Sequence, residues 1–489
     1  MNTPLRRISL VVMGMFVVLM LAITSIQVFQ AGDLNADTRN QRATFREQGR
    51  ERGPIVVAGE PIASSVAVDT PFAFLRTYAN GPLYAPVTGY SSIVFGQTAV
   101  ERSANTVLNG TAPSLWRQRL GDLITGRQPS GGSVELTIDP AVQQAAFDAL
   151  GDREGAVVAL DPSTGAILAM VSTPSYDPNL LAGHDTAAVN TAWQELLAAP
   201  GDPLVNRAIA GDTYAPGSTF KLIDLAAALS TGDYAPDTRV AAPDVLTLPG
   251  SSSTISNPAG ETCDDGVTAT LTLALQKSCN TPFSQLAITL GEQAIRDQAE
   301  AFGWGEELSV PMPVTPSRLG DIESEAQLGQ TAIGQLDVRT TPMQIAMVAA
   351  GIANDGELMT PYLEATERAA DLSIVAETEP STLSEAVSPE VADQMTEMMV
   401  NVVENGTGWR AQIDGVRVAG KTGTSQTGIN EGTSRDFPHA WFTGFAPADD
   451  PQIAVAVVLV NGADPNSEQY SGGQLAAPVA KAVLEAGLR

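Results

Sequence analysis

An uncharged apolar segment near the N-terminus restricts the fold of this chain more than any other feature. From Ile8 to Val28 the sequence reads ISLVVMGMFVVLMLAITSIQV. A run of this length without a charged side chain can cross the hydrocarbon core of a bilayer as one helix. The sequence therefore predicts a transmembrane anchor over residues 8–29, preceded by a short tail over residues 1–7.

The charges beside this segment predict its orientation. Arg6 and Arg7 precede it, and basic residues next to a span tend to stay in the cytoplasm. A cleaved signal peptide is the alternative, but its apolar core is normally shorter, and the following IQVFQAGDL offers poor small-residue cleavage sites. We therefore expect an uncleaved, single-pass protein of the cell membrane, with a cytoplasmic N-terminus and everything after Gln30 outside.

The charge balance excludes one large class of partner. The 489 residues include 27 basic and 55 acidic ones, which gives a net charge of −28. A surface that follows nucleic-acid phosphates requires clustered Lys and Arg, so we expect no nucleic-acid partner. Only four lysines occur, and two of them, Lys221 and Lys421, belong to the motifs described below.

The region between the anchor and residue 132 is predicted to be a separate, non-catalytic domain, residues 30–132. It begins with arginines spaced along one helix face, which predicts a solvated juxtamembrane helix or, less favoured, a stripe that docks on lipid or a membrane partner: Arg39, Arg42, Arg46 and Arg50. Short β-branched and aromatic runs follow, broken by Gly and Pro, and predict a small strand-rich unit. The segment GRQPSGGS, residues 126–133, is typical of a linker.

Strands at both ends of the remaining chain, residues 133–489, predict an α+β fold. Apolar runs predict strands over residues 155–160, 166–172, 439–446 and 451–460, and helices over residues 140–150 and 474–488. The stretch between them, residues 187–351, is predicted to be largely helical. Strands from both ends with helices in the middle indicate an antiparallel sheet covered by helices.

The strongest chemical motif is YAPGSTFKLIDLAAALSTG, residues 214–232. Its apolar residues have helical spacing: Leu222, Leu225, Ala226 and Leu229. This pattern predicts a core helix that starts near Ser218, ends at Gly232 and places Ser218 and Lys221 on one face. A neutral lysine amine can take the proton of a serine hydroxyl and so make it a nucleophile. The alternative is a capping serine beside an exposed lysine.

Two further segments supply other groups that acyl transfer requires. In KSCN, Ser278 can relay a proton and Asn280 can hold a substrate carbonyl, although Ser-x-Asn also occurs in ordinary loop caps.

The third segment is GVRVAGKTGTSQT, in which alternating apolar residues predict a strand approaching Lys421, Thr422, Gly423 and Thr424. A cation there can bind a substrate carboxylate and lower the pKa of Lys221. Gly423 is expected to let an extended peptide lie beside the strand. The backbone N–H groups of Ser218 and Thr424 are candidates for an oxyanion hole. The alternative is a glycine turn that ends a strand.

The three motifs in this order resemble the penicillin-interacting serine enzymes, whose signature is Ser-x-x-Lys, Ser-x-Asn and Lys-Thr-Gly. The resemblance extends over the whole chain, because NRAI before PGSTFK, the segment Ile333 to Gly356, and RGPI after the anchor are typical of class B penicillin-binding proteins. Within that class the chain most resembles the actinobacterial penicillin-binding protein A group, which also has a cysteine inside the middle motif, as Cys279 is here. This resemblance implies a serine β-lactamase-like transpeptidase domain behind a dimerisation-like domain.

The resemblance also implies the role of each motif residue. Ser218 would attack the penultimate D-Ala of a peptidoglycan stem peptide, with Lys221 as base and Ser278 as a candidate relay. Asn280 would orient the acyl donor. The donor's terminal carboxylate would be bound by the third motif: Lys421, Thr422, Gly423 and Thr424. An amine from a neighbouring stem would then release the acyl-enzyme as a cross-link, and β-lactams would acylate Ser218.

Other functions share these motifs. A D,D-carboxypeptidase would transfer the acyl group to water, and a non-enzymatic β-lactam sensor would use acylation as a signal but normally has several spans. A β-lactamase needs a separate carboxylate motif that we do not find, and a Ser-His-Asp hydrolase lacks a suitable motif around His184 or His439. The N-terminal domain and the extent of the resemblance favour transpeptidation over these functions and over a purely structural scaffold.

Cofactors and partners complete the expectations. Scattered cysteines and histidines match no metal-ligand spacing, so we expect no metal and no cofactor. Cys263 and Cys279 are a candidate disulfide, because both lie in the exported part, although two unbridged thiols are the alternative. The resemblance implies a membrane partner, a lipid-II polymerase of the shape, elongation, division and sporulation family. It leaves open the choice between division and elongation and the acceptor amine.

Overall fold

The computed structural model describes residues 2–30, 50–70, 72–115, 130–211, 213–426, 438–462 and 471–489. The predicted helix that carries Arg39, Arg42 and Arg46 and the first half of the predicted linker 126–133 lie outside these ranges. In chain order the strands are β1 (Ile55–Val57), β2 (Glu60–Ala67), β3 (Phe74–Tyr78), β4 (Ser91–Ser92), β5 (Gly96–Gln97), β6 (Ser133–Leu136), β7 (Gly155–Leu160), β8 (Ile167–Thr173), β9 (Arg239–Ala241), β10 (Val245–Thr247), β11 (Thr254–Ser256), β12 (Thr268–Thr270), β13 (Glu357–Met359), β14 (Glu364–Arg368), β15 (Ile374–Glu377), β16 (Thr382–Glu385), β17 (Ala419–Ser425), β18 (His439–Ala446) and β19 (Ile453–Leu459).

The helices are α1 (Asn2–Thr24), α2 (Gly81–Thr88), α3 (Ala99–Ser103), α4 (Asn105–Leu108), α5 (Pro140–Leu150), α6 (Asn179–Ala182), α7 (Thr186–Ala198), α8 (Lys221–Ser230), α9 (Leu271–Gln276), α10 (Thr281–Leu290), α11 (Glu292–Ala301), α12 (Glu325–Thr331), α13 (Pro342–Ala353), α14 (Pro389–Asn405) and α15 (Gly472–Gly487). Single 3₁₀ turns include Gly217–Thr219, directly before α8.

The N-terminal apolar segment forms one helix, α1, which a turn of π-helix extends over Ser25–Phe29. The stretch Arg6–Gln27 is long and apolar enough to cross a membrane, with a mean hydropathy of 2.5 and none of its apolar window buried by the rest of the chain. A helix with apolar side chains on every face and no protein around them is suited to lipid. This finding agrees with the predicted anchor over residues 8–29.

A five-stranded antiparallel sheet with the order β17-β18-β19-β7-β8 forms the centre of the catalytic half. Helices α5 and α15 cover one face, and α13 covers the other. Strand β19 shows why its sequence is a continuous apolar run, because Ile453 and Val455 pack into the core on the α15 side while Ala454 and Ala456 pack on the α13 side. A sheet that is buried on both faces requires apolar residues at every position.

The sheet and its covering helices confirm most of the predicted elements. Helix α5 and strands β7 and β18 have the predicted bounds, and the closing helix α15 covers the predicted 474–488 except for Leu488. The prediction for residues 187–351 is partly wrong, because residues 239–270 form two antiparallel strand pairs, β9 with β12 and β10 with β11. These strands are short and mostly exposed, in a stretch rich in Pro, Gly, Ser and Thr that lacks helical periodicity.

A second, six-stranded sheet contains strands from both sides of the predicted boundary at residue 132, in the order β15-β14-β6-β1-β2-β3. Strand β6 pairs in parallel with β1, so the N-terminal unit and the start of the catalytic half share one ladder.

The N-terminal unit also contains helices α2 to α4. Its buried Glu101 accepts hydrogen bonds from Arg52, from Arg76 (2.6 Å) and from the Tyr78 hydroxyl (3.0 Å). A buried carboxylate with two guanidinium partners stays ionised and ties β3 to α3.

Candidate active site

The nucleophile candidate Ser218 lies in the 3₁₀ turn Gly217–Thr219, three residues before α8 begins at Lys221. Side chains of two neighbouring strands fix the chain just before this turn. Trp441 Nε1 and Ser425 Oγ both donate to the Ala215 carbonyl, at 3.0 and 2.7 Å. Ser218 is half-buried and lines a cavity of about 610 Å³. The predicted helix start near Ser218 is thus a tight turn that leads into the helix.

Lys221 is fully buried beneath this cavity and points toward the middle motif. Its Nζ donates to the Ser278 carbonyl and to Asn280 Oδ1, both at 2.8 Å, and lies 3.5 Å from Ser278 Oγ. Burial lowers the pKa of Lys221 well below its ordinary value, and the charge of Lys421 lowers this pKa further. A lowered pKa makes the neutral form of a lysine more accessible, and that form can accept a proton as a general base.

Lys421 is also fully buried and reaches the same serine from the opposite side. Its Nζ donates to Ser278 Oγ and to the Thr422 carbonyl, both at 2.8 Å. Burial lowers the pKa of Lys421 to about 7. The Ser278 hydroxyl therefore lies between two lysine amines that both release protons more readily than an exposed lysine.

The middle motif is kept in an unusual conformation by residues that the sequence reading did not single out. Ser278 has a φ of +58°, in the left-handed region that residues with a side chain seldom occupy. Just after it, Asn257 Oδ1 accepts the backbone N–H groups of Asn280 (2.9 Å) and Thr281 (3.1 Å), while Asn280 Nδ2 donates to the Ser256 carbonyl at 2.8 Å. Asn257 therefore orients Asn280. In the sequence, only the Asn-Pro pair at residues 257–258 could have drawn attention to Asn257.

The third motif lies on a strand, β17, rather than after one as predicted. Thr422 Oγ1 is 2.6 Å from Thr407 Oγ1, and Thr424 Oγ1 accepts the Gly472 N–H at 3.3 Å. Gly423 has a packing role in addition to the role beside a peptide that the sequence predicts. A Cβ at Gly423 would lie 2.8 Å from the Pro216 carbonyl oxygen and 3.0 Å from Thr219 Cγ2, so its missing side chain lets β17 pack against the Ser218 turn.

A further buried carboxyl, Asp224, lies three residues after Lys221 on α8. Neither of its oxygens has a hydrogen-bond partner among the described residues. Burial raises the pKa of Asp224 well above its ordinary value, while Lys221 acts in the opposite direction. Sequence reasoning missed Asp224, because a single Asp in an apolar helix has no distinguishing spacing.

The structure brings all three motifs to one cavity. Its lining includes Ser218, Ser278, Asn280, Thr422, Gly423 and Thr424, and the two lysines lie directly beneath, bonded to Ser278. A hydroxyl on the surface, a buried amine with a lowered pKa and a bridging hydroxyl together can deprotonate a serine and return the proton to a leaving group.

Cys263 and Cys279 form a disulfide, which places a covalent link inside the middle motif. It closes a loop with a sequence separation of 16 residues, and in the chain-entropy model such a link stabilises the fold by about 3 kcal/mol. We predict that reduction lowers the thermal stability and slows acylation, because Ser278 and Asn280 flank Cys279.

The measurement is the rate of labelling by a fluorescent penicillin with and without dithiothreitol. The control is a Cys263→Ala/Cys279→Ala double variant, whose labelling rate dithiothreitol should leave unchanged. Free thiols at both positions in the unreduced protein, or equal rates in all samples, would contradict this role of the disulfide.

Comparison with known proteins places this site in a family. The family model described as penicillin binding protein transpeptidase domain matches residues 155–485, and the one described as penicillin binding protein A dimerisation domain matches residues 52–134. Over its full length the chain is 47% identical to the peptidoglycan D,D-transpeptidase PbpA of Mycobacterium tuberculosis, of which it covers 99%. It is 46% identical to PbpA of Mycolicibacterium smegmatis, again over 99% of that protein.

Solved structures show the same similarity. The structure of penicillin-binding protein A from M. tuberculosis as a ceftriaxone acyl-enzyme complex matches with a TM-score of 0.87 and 46% identity, over 91% of this chain and all of that one. The penicillin G acyl-enzyme complex of the same protein matches with a TM-score of 0.85. With both domains matched and the identity extending from end to end, the chain belongs to the class B penicillin-binding proteins.

Proposed function

We propose that this chain is a peptidoglycan D,D-transpeptidase that cross-links stem peptides through an acyl-enzyme on Ser218 and is inhibited by β-lactams. The observation that carries the proposal is the position of Ser278 Oγ between the amines of Lys421 (2.8 Å) and Lys221 (3.5 Å), at the floor of the cavity that Ser218 lines. The kinship with PbpA proteins, named as peptidoglycan D,D-transpeptidases, supports the same activity.

In the acylation step, Ser218 Oγ forms a bond with the carbonyl carbon of the donor's penultimate D-Ala. Its proton passes to the neutral amine of Lys221, with Ser278 as the relay. The C–N bond to the terminal D-Ala then breaks, and the leaving amine takes a proton back from this pair. The support for Lys221 as base is its burial and the neighbouring charge, which lower its pKa.

The edge strand β17 is the proposed binding site of the donor peptide. In the described sheet β17 pairs with β18 on one side only, so its other edge offers backbone groups to an extended peptide. Thr422 and Thr424 would bind the terminal carboxylate, with Lys421 supplying positive charge beneath them. The N–H groups of Ser218 and Thr424 would stabilise the oxyanion.

In the second step, an amine of a neighbouring stem attacks the acyl carbonyl and loses its proton to Lys221. The bond to Ser218 Oγ breaks, the hydroxyl regains a proton, and the new amide is the cross-link. A β-lactam acylates Ser218 in the same way, but its leaving group stays attached, so release is slow.

The anchor gives the proposed cellular arrangement. We place the N-terminus in the cytoplasm and the catalytic half outside, because Arg6 and Arg7 precede the apolar window. A membrane lipid-II polymerase of the shape, elongation, division and sporulation family is the proposed partner, in contact with α1 and the N-terminal unit. The supports are the membrane-length helix and the matched dimerisation domain.

The pH dependence of acylation should depend on the charge of Lys421. The rate should rise with pH as Lys221 loses its proton, with a midpoint below that of an ordinary lysine, because burial and Lys421 both lower the pKa of Lys221. Lys421→Gln removes the positive charge of Lys421, so the pKa of Lys221 should rise and the midpoint should move to higher pH.

The measurement is the second-order rate constant of penicillin acylation across the neutral and alkaline range. The shift of the midpoint, rather than the overall drop in rate, is the readout. An unmoved midpoint would show that the two amines are not electrostatically coupled.

The function is tested by product analysis. The full-length protein in detergent is given a synthetic stem peptide ending in D-Ala-D-Ala and a free amine, and the products are resolved by mass spectrometry. A transpeptidase forms the new amide in an amount that rises with the amine and releases one D-Ala for each. Hydrolysed donor alone, at every amine concentration, would indicate the D,D-carboxypeptidase instead.

A further inference from the structure

A second cavity, of about 450 Å³, opens from the catalytic cavity and is here called the side cavity. The two share the wall residues Ser256, Asn280, Ile333, Gln335 and Gln426. The side cavity has none of the residues that surround the proposed carboxylate site on β17, namely Thr407, Thr422, Thr424 and Ser471. It therefore extends the cleft away from the terminal-carboxylate end.

Arg339 lines the side cavity. It is the one charged side chain among the described residues that line the two cavities. Lys221 and Lys421 lie beneath the floor and are not part of the lining. A guanidinium is always protonated and presents a planar fork of donors that suits a carboxylate. In a protein with twice as many acidic as basic residues, a cleft whose described lining holds one positive charge and no negative one favours an anionic group.

Hydrogen bonds to backbone groups fix the position of Arg339. Its Nη1 donates to the carbonyls of Leu336 and Val338, both at 2.8 Å, and its backbone exchanges two 2.8 Å hydrogen bonds with Arg318. The next residue, Thr340, is paired with Tyr214, four residues before the nucleophile. The segment that carries Arg339 therefore has a fixed position relative to Ser218.

The rest of the guanidinium is not engaged. Within the described ranges Nε and Nη2 of Arg339 make no hydrogen bond, and Arg339 forms no ion pair with a carboxylate. Other arginines of the catalytic half do have acidic partners, for example Arg207 with Glu154 and Arg417 with Glu397. Arg339 lines the side cavity and also borders a neighbouring cavity whose lining includes Glu154 and Asp202, and its two unbonded nitrogens are available to a ligand.

We propose that Arg339 is the binding subsite for a second carboxylate of the stem peptides, separate from the terminal carboxylate bound at Thr422 and Thr424. This inference rests on the proposed transpeptidase function. Both stems that meet in the cleft, the acyl donor and the amine acceptor, can carry such a carboxylate on an internal residue. The side cavity would thus distinguish a stem with a free internal carboxylate from one in which that group is an amide.

The test uses the full-length protein and two pairs of synthetic peptides. The donor pair ends in D-Ala-D-Ala, and the acceptor pair carries the free amine; within each pair the peptides differ only in an internal carboxylate or its amide. Acylation is measured with the donors alone, and product formation with a neutral donor and each acceptor. The variants are Arg339→Gln, Arg339→Lys and, as a matched control, Arg318→Gln, which removes the same charge from the exposed backbone partner outside the cleft.

We expect the wild-type protein to prefer the carboxylate form of one pair by about tenfold or more, the usual effect of a hydrogen-bonded charge. Arg339→Gln should reduce that preference to about twofold or less, Arg339→Lys should restore part of it, and Arg318→Gln should leave it intact. A loss in the donor pair assigns the carboxylate to the acyl donor, and a loss in the acceptor pair assigns it to the acceptor.

Equal preferences in wild type and Arg339→Gln for both pairs, or an equal loss in Arg318→Gln, would overturn the proposal. Labelling of each variant by a fluorescent penicillin keeps the two hypotheses apart. If the wild type is labelled normally but shows no carboxylate preference in either pair, only the Arg339 subsite is wrong; if the wild type is not labelled, the proposed function itself fails.

Discussion

Replacement of Ser218 by alanine should abolish formation of the cross-linked product. The expected loss is about ten-thousand-fold or more, because removal of the nucleophile of an acyl-enzyme mechanism leaves only the contribution of binding and of the oxyanion site. The measurement is the rate of amide formation from a stem-peptide donor and an amine. Thermal unfolding of the same sample shows whether the fold is retained.

Ser230→Ala is the matched control, since Ser230 is an exposed serine at the other end of α8. Its rate should equal that of the wild type. If Ser218→Ala keeps an appreciable rate while melting normally, another group forms the acyl-enzyme and the assignment of the turn Gly217–Thr219 is wrong.

Replacement of Lys221 by arginine should be nearly as damaging, although it keeps the charge. Arginine does not lose its proton in proteins, so the variant has no base beside Ser218. General-base catalysis accounts for roughly a hundredfold to ten-thousandfold in rate, and we expect a loss in that range. The readout is the second-order rate constant of acylation by penicillin, which isolates the first step.

Lys221→Met gives a second variant of similar length without a buried charge, and it should lose activity to the same degree while unfolding at no lower temperature. Lys481→Arg is the control, because Lys481 is partly exposed and forms only a 3.7 Å pair with Glu485. Near-normal acylation by Lys221→Arg would mean that Lys421 or Ser278 alone serves as the base.

The sequence predicted the elements whose periodicity is unambiguous. Helix α5, with Pro140 at its start and Gly151 after its end, and the fully apolar strands β7 and β18 have the expected bounds, because local capping and continuous burial agree there. Residues 239–270 were misjudged as part of a helical stretch. Short strands held by a disulfide and by neighbours distant in sequence leave no periodic pattern to read.

The same division applies to the site. Ser218, Lys221, Ser278, Asn280 and Lys421 were recognisable from motif spacing, and the structure places them around one cavity. Four neighbouring residues were not recognisable from the sequence, because their roles arise from contacts between distant segments. These residues are Asn257, Thr407, Trp441 and Asp224. The packing role of Gly423 was also not predictable, since only the fold shows that a Cβ at this position would meet the Ser218 turn.

The formation of an acyl-enzyme on Ser218 can be tested directly by mapping the site at which a fluorescent penicillin attaches to the full-length protein. After brief labelling, the protein is digested, the labelled peptide is identified by mass spectrometry, and the decay of the label is followed over hours. We expect one labelled peptide, modified at Ser218, with a label that persists. Attachment elsewhere, no attachment, or rapid loss of the label would contradict a slowly released Ser218 acyl-enzyme.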